Sequence, residues 1–172
     1  MLANPDEVKA QGDINYNVDD TVIGACIRTS QNIYLRDVIG TALLEKMQEL
    51  VYNAIQGSGS SIDDEANVAY KTLLDDYVVP AITYKTASDL CSRLTYKLRN
   101  FGEVKDNSIN IQSATLEEVI YMKGVYDTYY NDALNRLTEF ICANEAAFPE
   151  SNMKCNCGGN PKYARTNLWL GK

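Results

Sequence analysis

The sequence predicts a mainly α-helical bundle with one long C-terminal helix, a minor β-hairpin and extended terminal arms. Apolar residues recur at three- and four-residue spacing over several long stretches, which is typical of amphipathic helices. Helix-capping and helix-breaking residues separate these stretches. Both ends of the 172-residue chain lack this period. We therefore expect an N-terminal arm at 1–18, a helical domain at 19–150 and a C-terminal tail at 151–172.

The first two helices are predicted from a cap and two apolar stripes. Asp19 and Asp20 suit a helix start, because acidic side chains stabilise its positive end. One stripe runs to about Gly40 and a second follows it, which predicts an antiparallel helix pair joined by a short turn. The stripes comprise Val22, Ile23, Cys26, Ile27, Ser30, Ile33 and Tyr34, and then Leu43, Leu44, Met47, Leu50, Val51 and Ile55.

A glycine- and serine-rich segment at 57–61 separates these helices from the next. A phosphate-binding loop would need a strand before it and Lys-Ser or Lys-Thr after it, so a helix-to-helix linker is favoured. Ser61 or Asp63 is expected to cap a third helix. Pro80 lacks the amide hydrogen of a continuing helix, which predicts a boundary or kink near Val78 and a fourth helix from Pro80.

The second half of the domain is predicted to hold a hairpin and the long helix. Alternating apolar residues at about 95–112 indicate two short strands, the first around Leu98 and the second around Ile109 and Ile111, with turn residues at Gly102 and at 106–108 between them. Thr115 and Glu118 form a capping-box pattern, and the stripe that follows predicts a helix of roughly 45 Å up to Phe148. Gly124 is expected to mark a bend or a close backbone approach.

Composition argues against an enzyme. The chain has no histidine, which excludes Ser-His-Asp triads, Cys-His pairs and histidine-containing zinc sites. Adjacent carboxylates in a helix point about 100° apart rather than across a cleft. We therefore predict no catalytic residues, no metal and no cofactor; the adjacent acidic residues are Asp19-Asp20, Asp63-Asp64, Asp75-Asp76 and Glu117-Glu118.

The five cysteines fall into two groups. Cys26, Cys91 and Cys142 lie in apolar helical sequence and are expected to be buried free thiols of a reducing cytosol. Cys155 and Cys157 are one residue apart, where zinc sites usually use a two-residue spacing. A zinc or disulfide role stays open for them, but a tight turn with incidental thiols is favoured. Neither a secretory signal nor a membrane-spanning stretch is read from the sequence.

Charge divides the chain into an acidic body and a basic tail. The net charge is −7, and residues 151–172 contain four basic and no acidic residues. A basic segment with an apolar end on an acidic body predicts docking onto another protein. The predicted docking residues are Lys154, Lys162, Tyr163, Arg165, Leu168, Trp169 and Leu170.

Tyrosines recur along the helices, with 12 in the chain. Stacking on single-stranded nucleic acid would need interleaved basic residues, and around the tyrosines of the long helix there is only Lys123, with Asp127 and Asp132 close by. Tyrosine at helical spacing more often marks helix packing or a subunit interface. The predicted subunit-interface residues are Tyr34, Tyr121, Tyr126, Tyr129 and Tyr130.

The order of these elements over about 20–150 resembles the head-to-tail connector (adaptor) proteins of tailed bacteriophages, particularly ring proteins of crAss-like phages. The segments that carry the resemblance are Gln31–Leu35, Val38–Leu44, the helix–proline–helix at Tyr70–Ala81, and Asn144–Pro149. The resemblance implies a small helical bundle that forms a ring of twelve copies under the portal. It implies a structural role in completing the DNA-filled head and joining it to the tail, and no catalytic residues.

The partners implied are other copies of this chain, the portal protein and neighbouring tail or ring proteins. Genomic DNA is expected only as non-specific passing cargo through the channel, and no membrane is expected. The location implied is the portal vertex of the virion, after assembly in the host cytoplasm. The alternative is a soluble helical scaffolding or regulatory protein that binds one protein partner; a metal-dependent helical hydrolase comes third.

Overall fold

A computed structural model describes residues 1–99, 102–105 and 115–153, with only the backbone described at 95–99 and 102–105. The described part is mainly helical, which confirms the predicted fold class at that level. The helices are α1 (Pro5–Gln11), α2 (Asp20–Thr29), α3 (Arg36–Ile39), α4 (Thr41–Gln56), α5 (Val68–Leu73), α6 (Val79–Thr95) and α7 (Leu116–Ala143).

Two wide π turns lie inside otherwise continuous helices. Ser30–Leu35 joins α2 to α3, and Leu74–Val78 joins α5 to α6 immediately before Pro80. A π turn holds more residues than an α turn, so it rotates the apolar face that follows. Leu35 is buried, whereas Ile33 is 50% and Tyr34 38% exposed. The predicted first stripe is therefore wrong at its last two positions, because it assumed a constant period.

Helix α6 lies at the centre of the molecule. It packs against α1, α2, both π turns and, most extensively, α7. Contacts of Tyr77 with Phe140 and of Tyr84 with Tyr129 show that α6 and its π turn run antiparallel to α7. Helix α2 packs on α6 rather than along α4, so the predicted antiparallel pair of the first two helices is wrong. Helical spacing identifies a buried face but not the helix that covers it.

Residues 1–18 pack on the body, so the prediction of an extended N-terminal arm is wrong. Leu2 and Val8 are buried in the core, and the Leu2 amide donates to Oε1 of buried Gln31 at 2.9 Å. Asn4 caps α1 by accepting from the Glu7 amide. Few apolar residues anchor this segment, so no period reveals it.

The chain after α7 folds back over the core. Helix α7 ends at Ala143, short of the predicted end at Phe148, and a 3₁₀ turn occupies Glu145–Ala147. The Phe148 ring is almost fully buried and lies edge-on to the Tyr70 ring, with centroids 5.3 Å apart. The Tyr70 hydroxyl donates to Oε2 of Glu150 at 2.8 Å. The folded body therefore extends past the predicted boundary at residue 150 to Met153, which is half-buried against the core.

The predicted helix starts are confirmed at two helices and wrong at a third. Asp19 caps α2 as predicted, and Thr115 and Glu118 form the predicted capping box of α7. The third helix begins as a 3₁₀ turn at Glu65–Asn67 and continues as α5, later than the predicted caps. The space that a Cβ at Gly124 would fill is empty, so the predicted close backbone approach at Gly124 is wrong.

Two short strands connect α6 towards α7. Strand β1 (Tyr96–Arg99) pairs antiparallel with β2 (Gly102–Lys105), with Tyr96 opposite Lys105. Gly102, expected in a turn, belongs to the second strand. The predicted turn at 106–108 and the second predicted strand around Ile109 and Ile111 lie outside the described residues.

Candidate interaction surfaces

The five tyrosines predicted at a subunit interface divide into two groups. Tyr121 is 71% and Tyr129 50% exposed, so both present aromatic surface to solvent. Tyr126 is half-buried, and its hydroxyl donates to the Gly12 carbonyl oxygen at 3.2 Å. Burial is the main cause that raises the pKa of Tyr130, and Tyr34 and nearby carboxylates raise it further. Tyr126 and Tyr130 therefore serve packing within the chain, while Tyr121 and Tyr129 remain available at the surface.

A buried cation explains the position of Tyr34. The Lys85 ammonium on α6 pairs with Oδ1 of Asp89 at 3.0 Å, and both side chains are nearly buried. The same nitrogen lies 4.2 Å from the centre of the Tyr34 ring and 5.8 Å from that of Tyr130. A desolvated cation gains from both a carboxylate and the faces of aromatic rings. Tyr34, although partly exposed, is thus held by its own chain.

Asp127 links α7 to α6 beside this ion pair. It accepts from the Ser88 hydroxyl and from the Lys123 ammonium, each at 2.6 Å. Burial opposes ionisation of Asp127, but hydrogen bonds from Lys123 and Ser88 and the nearby Lys85 charge outweigh it and lower the pKa. The α6–α7 contact is therefore fastened by charged groups as well as by apolar packing.

A groove of about 180 Å³ opens between the second π turn, the start of α6 and the middle of α7. Tyr84 and Tyr129 lie side by side in its wall, with ring centres 5.5 Å apart. Asp76 and Asp132 stand on its two sides, and within the described residues neither forms an ion pair or a side-chain hydrogen bond. The remaining lining residues are Tyr77, Pro80, Ala133 and Arg136, and the Arg136 guanidinium lies over the Tyr77 ring.

Sequence reasoning missed this groove as a site. Asp76 was considered only with its neighbour Asp75, and Asp132 lies 56 positions further along the chain. Their closeness follows from the antiparallel packing of α6 and α7, which no local pattern reports. The sequence did carry one signal for the groove: the π turn before α6 and helix α7 each hold tyrosine close to an acidic residue, Asp76 with Tyr77 and Tyr129 with Asp132.

An exposed apolar surface, separate from the groove, lies at the start of α7. Leu116, Ile120 and Tyr121 are all more than half exposed. Leu116 and Ile120 are four positions apart and therefore share one face of the helix. Leu94, near the end of α6, is also exposed. Clustered exposed apolar side chains of this kind mark protein–protein contact surfaces.

The predicted docking residues of the tail, from Lys154 to Leu170, lie outside the described residues, as do Cys155 and Cys157. Cys142 is disulfide-bonded, so the expectation of a free thiol is wrong there. Cys26 is a buried thiol, as expected, and burial raises its pKa. Burial also raises the pKa of half-buried Cys91.

Several of the adjacent acidic residues have structural partners. Asp19 caps α2 and Asp20 pairs with buried Lys9. Asp63 pairs with Lys71. Across residues 1–99, 102–105 and 115–153, no group of three or more Cys, Asp or Glu side chains is arranged to hold a metal ion. Among the helices described, none combines the length and apolarity required to cross a bilayer.

Comparison with protein families gives a match over most of the chain. The model of a family of unknown function, DUF6712, matches residues 35–161. The chain belongs to this family. The matched range takes in the groove, the Lys85 ion pair and the whole of α7. No curated protein and no solved structure matches the chain.

Proposed function

We propose that this member of DUF6712 is a non-enzymatic virion protein that forms a ring under the portal. In this role it completes the DNA-filled head and joins it to the tail around a central channel. The observation that carries the proposal is the exposed apolar surface at the start of α7, formed by Leu116, Ile120 and Tyr121. A lone globule gains nothing from such a surface, whereas a subunit of a ring buries it against the next copy.

The shape of α7 supports the same proposal. Its 28 residues extend about 42 Å, and the exposed apolar surface lies at its start while the groove begins at its middle. A ring requires two different, complementary surfaces on each subunit. Subunit contacts through the long helix, with further contacts from the first helices, meet that requirement. The basic tail then reaches a portal or a neighbouring ring.

Charge suits passage of DNA through such a ring. The body carries all 23 acidic residues of the chain, whereas four of the 16 basic residues lie in the tail. Negative charge facing a channel disfavours phosphate contacts and leaves DNA free to slide. A channel lined by Lys and Arg would contradict this part of the proposal.

The test is reconstitution of the purified chain with portal particles, read by electron microscopy of the vertex. We expect added density in a closed ring for the wild type. Tyr121→Ala should weaken ring formation, because it removes exposed apolar contact area. Tyr16→Ala is the matched control, since Tyr16 is 72% exposed and lies outside α7. Normal rings with Tyr121→Ala and Ile120→Asp combined would contradict the proposed contact surface; failure of the wild type to bind any portal vertex would contradict the function.

One observation favours a second candidate, a soluble scaffolding or regulatory protein with a single partner. Tyr34, Tyr126 and Tyr130 contact their own chain, so the interface predicted from the tyrosines is smaller than the sequence indicated. Light scattering of the purified chain with and without portal separates the two candidates. A monomer that binds one non-portal protein and never assembles on the portal favours the second.

A further inference from the structure

We infer that the groove between the second π turn and α7 receives a lysine or arginine side chain from the basic C-terminal segment of a second copy. The inference deepens the proposed ring and rests on it, because it names one contact between copies. The groove lining contains two carboxylates, from Asp76 and Asp132. It also contains aromatic surface, from Tyr84 and Tyr129.

The lining matches a cationic side chain better than an anionic or purely apolar one. Ammonium and guanidinium groups bind over tyrosine faces and pair with carboxylates, as Lys85 does with Tyr34 and Asp89 elsewhere in this chain. Among the described residues that line the groove, Arg136 is the one cation, and its guanidinium lies over the Tyr77 ring rather than in an ion pair with Asp76 or Asp132. Two carboxylates against one guanidinium leave the groove with net negative charge, while Tyr129 remains half exposed.

The C-terminal segment has the complementary charge. Residues 151–172 contain Lys154, Lys162, Arg165 and Lys172 with no acidic residue. Fifteen residues follow Cys157, the last cysteine, and a chain of that length spans about 50 Å when extended, which exceeds the length of α7. The segment can therefore reach the groove of a neighbouring subunit. In a closed ring each copy offers one groove and one tail, so every groove receives the tail of a neighbouring copy.

Trp169 provides a direct reporter, because it is the single tryptophan of the chain and lies in the C-terminal segment. The experiment follows the fluorescence anisotropy and emission maximum of the full-length chain over a wide concentration range. In the wild type we expect a concentration-dependent rise in anisotropy with a blue shift, weakened by added salt, since exposed charge pairs are screened. Asp76→Asn combined with Asp132→Asn should move the midpoint to about tenfold higher concentration.

The matched control is Glu45→Gln combined with Glu65→Gln, which also removes two exposed carboxylates but lies outside the groove. We expect its midpoint to equal that of the wild type, and thermal melting verifies that all variants are folded. The same midpoint for the groove variant and the wild type would overturn the inference. So would a wild type without concentration dependence, or a groove-dependent signal independent of concentration, because the latter means that the tail occupies its own groove.

The outcome is separable from that of the proposed function. Groove-dependent association of the purified chain that is never followed by binding to a portal vertex supports the contact and contradicts the connector role. Normal rings on the portal with the Asp76→Asn and Asp132→Asn variant, together with an unchanged Trp169 signal, contradict the contact and leave the connector role standing.

Discussion

Replacement of Phe148 by alanine tests whether the segment after α7 is part of the core. The Phe148 side chain is 1% exposed, and its ring contacts Tyr70 at 5.3 Å and Phe140 at 5.9 Å between centroids. Truncation of a buried phenylalanine to alanine costs about 3–5 kcal/mol, because it removes apolar contacts and leaves a cavity. For a chain of this length, each kcal/mol corresponds to about 2–4 °C in melting temperature.

We therefore expect Phe148→Ala to lower the melting temperature by about 6–20 °C, measured by circular dichroism at 222 nm. Phe148→Leu keeps most of the buried volume and should cost less than about 1.5 kcal/mol. Tyr121→Ala is the surface control, with an expected change within about 0.5 kcal/mol. A melting temperature of Phe148→Ala within about 2 °C of the wild type would refute the packing of residues 144–153 described above.

Three further predictions address the α6–α7 contact and the chain end. Lys85→Met should destabilise by about 3–5 kcal/mol in urea unfolding because it leaves Asp89 buried and unpaired, and adding Asp89→Leu should recover most of the loss; an equal cost for both variants would contradict this. The lowered pKa of Asp127 stabilises the folded state above the unfolded pKa of about 3.9. The stability difference between wild type and Asp127→Asn should therefore shrink as pH falls below about 4, and a difference independent of pH would contradict it. Truncation after Cys157, which keeps all five cysteines, should leave the melting temperature unchanged but abolish binding to partner particles, whereas truncation after Pro149 should also destabilise, because it removes Glu150.

Local signals in the sequence predicted local features well. Asp19 and the capping box of Thr115 and Glu118 were identified because a capping side chain lies within a few residues of the amide that it accepts from. The mainly helical fold class followed from apolar spacing for the same reason. Pro80 near the start of a helix follows from its ring and missing amide hydrogen, which act within one turn.

Features that depend on distant residues were not predictable in this way. The N-terminal segment packs through Leu2, which precedes α1, and Val8 within it, too few apolar residues to produce a period. Lys85 and Thr86 on α6 are buried because α1, α2, α7 and the two π turns surround that helix, although both residue types usually face water. The groove likewise required the antiparallel packing of α6 on α7 before Asp76 and Asp132 could be associated.

The second π turn fixes which side of the molecule the groove occupies. Leu74–Val78 accommodates extra backbone within one turn, and each residue added to or removed from a helix rotates all that follows by about 100°. Deletion of one residue there would convert the turn to ordinary α geometry and leave Tyr84 beside Tyr129. Deletion of one residue from the α-helical stretch between the turn and Tyr84 would instead rotate Tyr84 away from Tyr129. The loss of one codon therefore redirects the surface offered to neighbours or leaves it intact, according to where in the helix it falls.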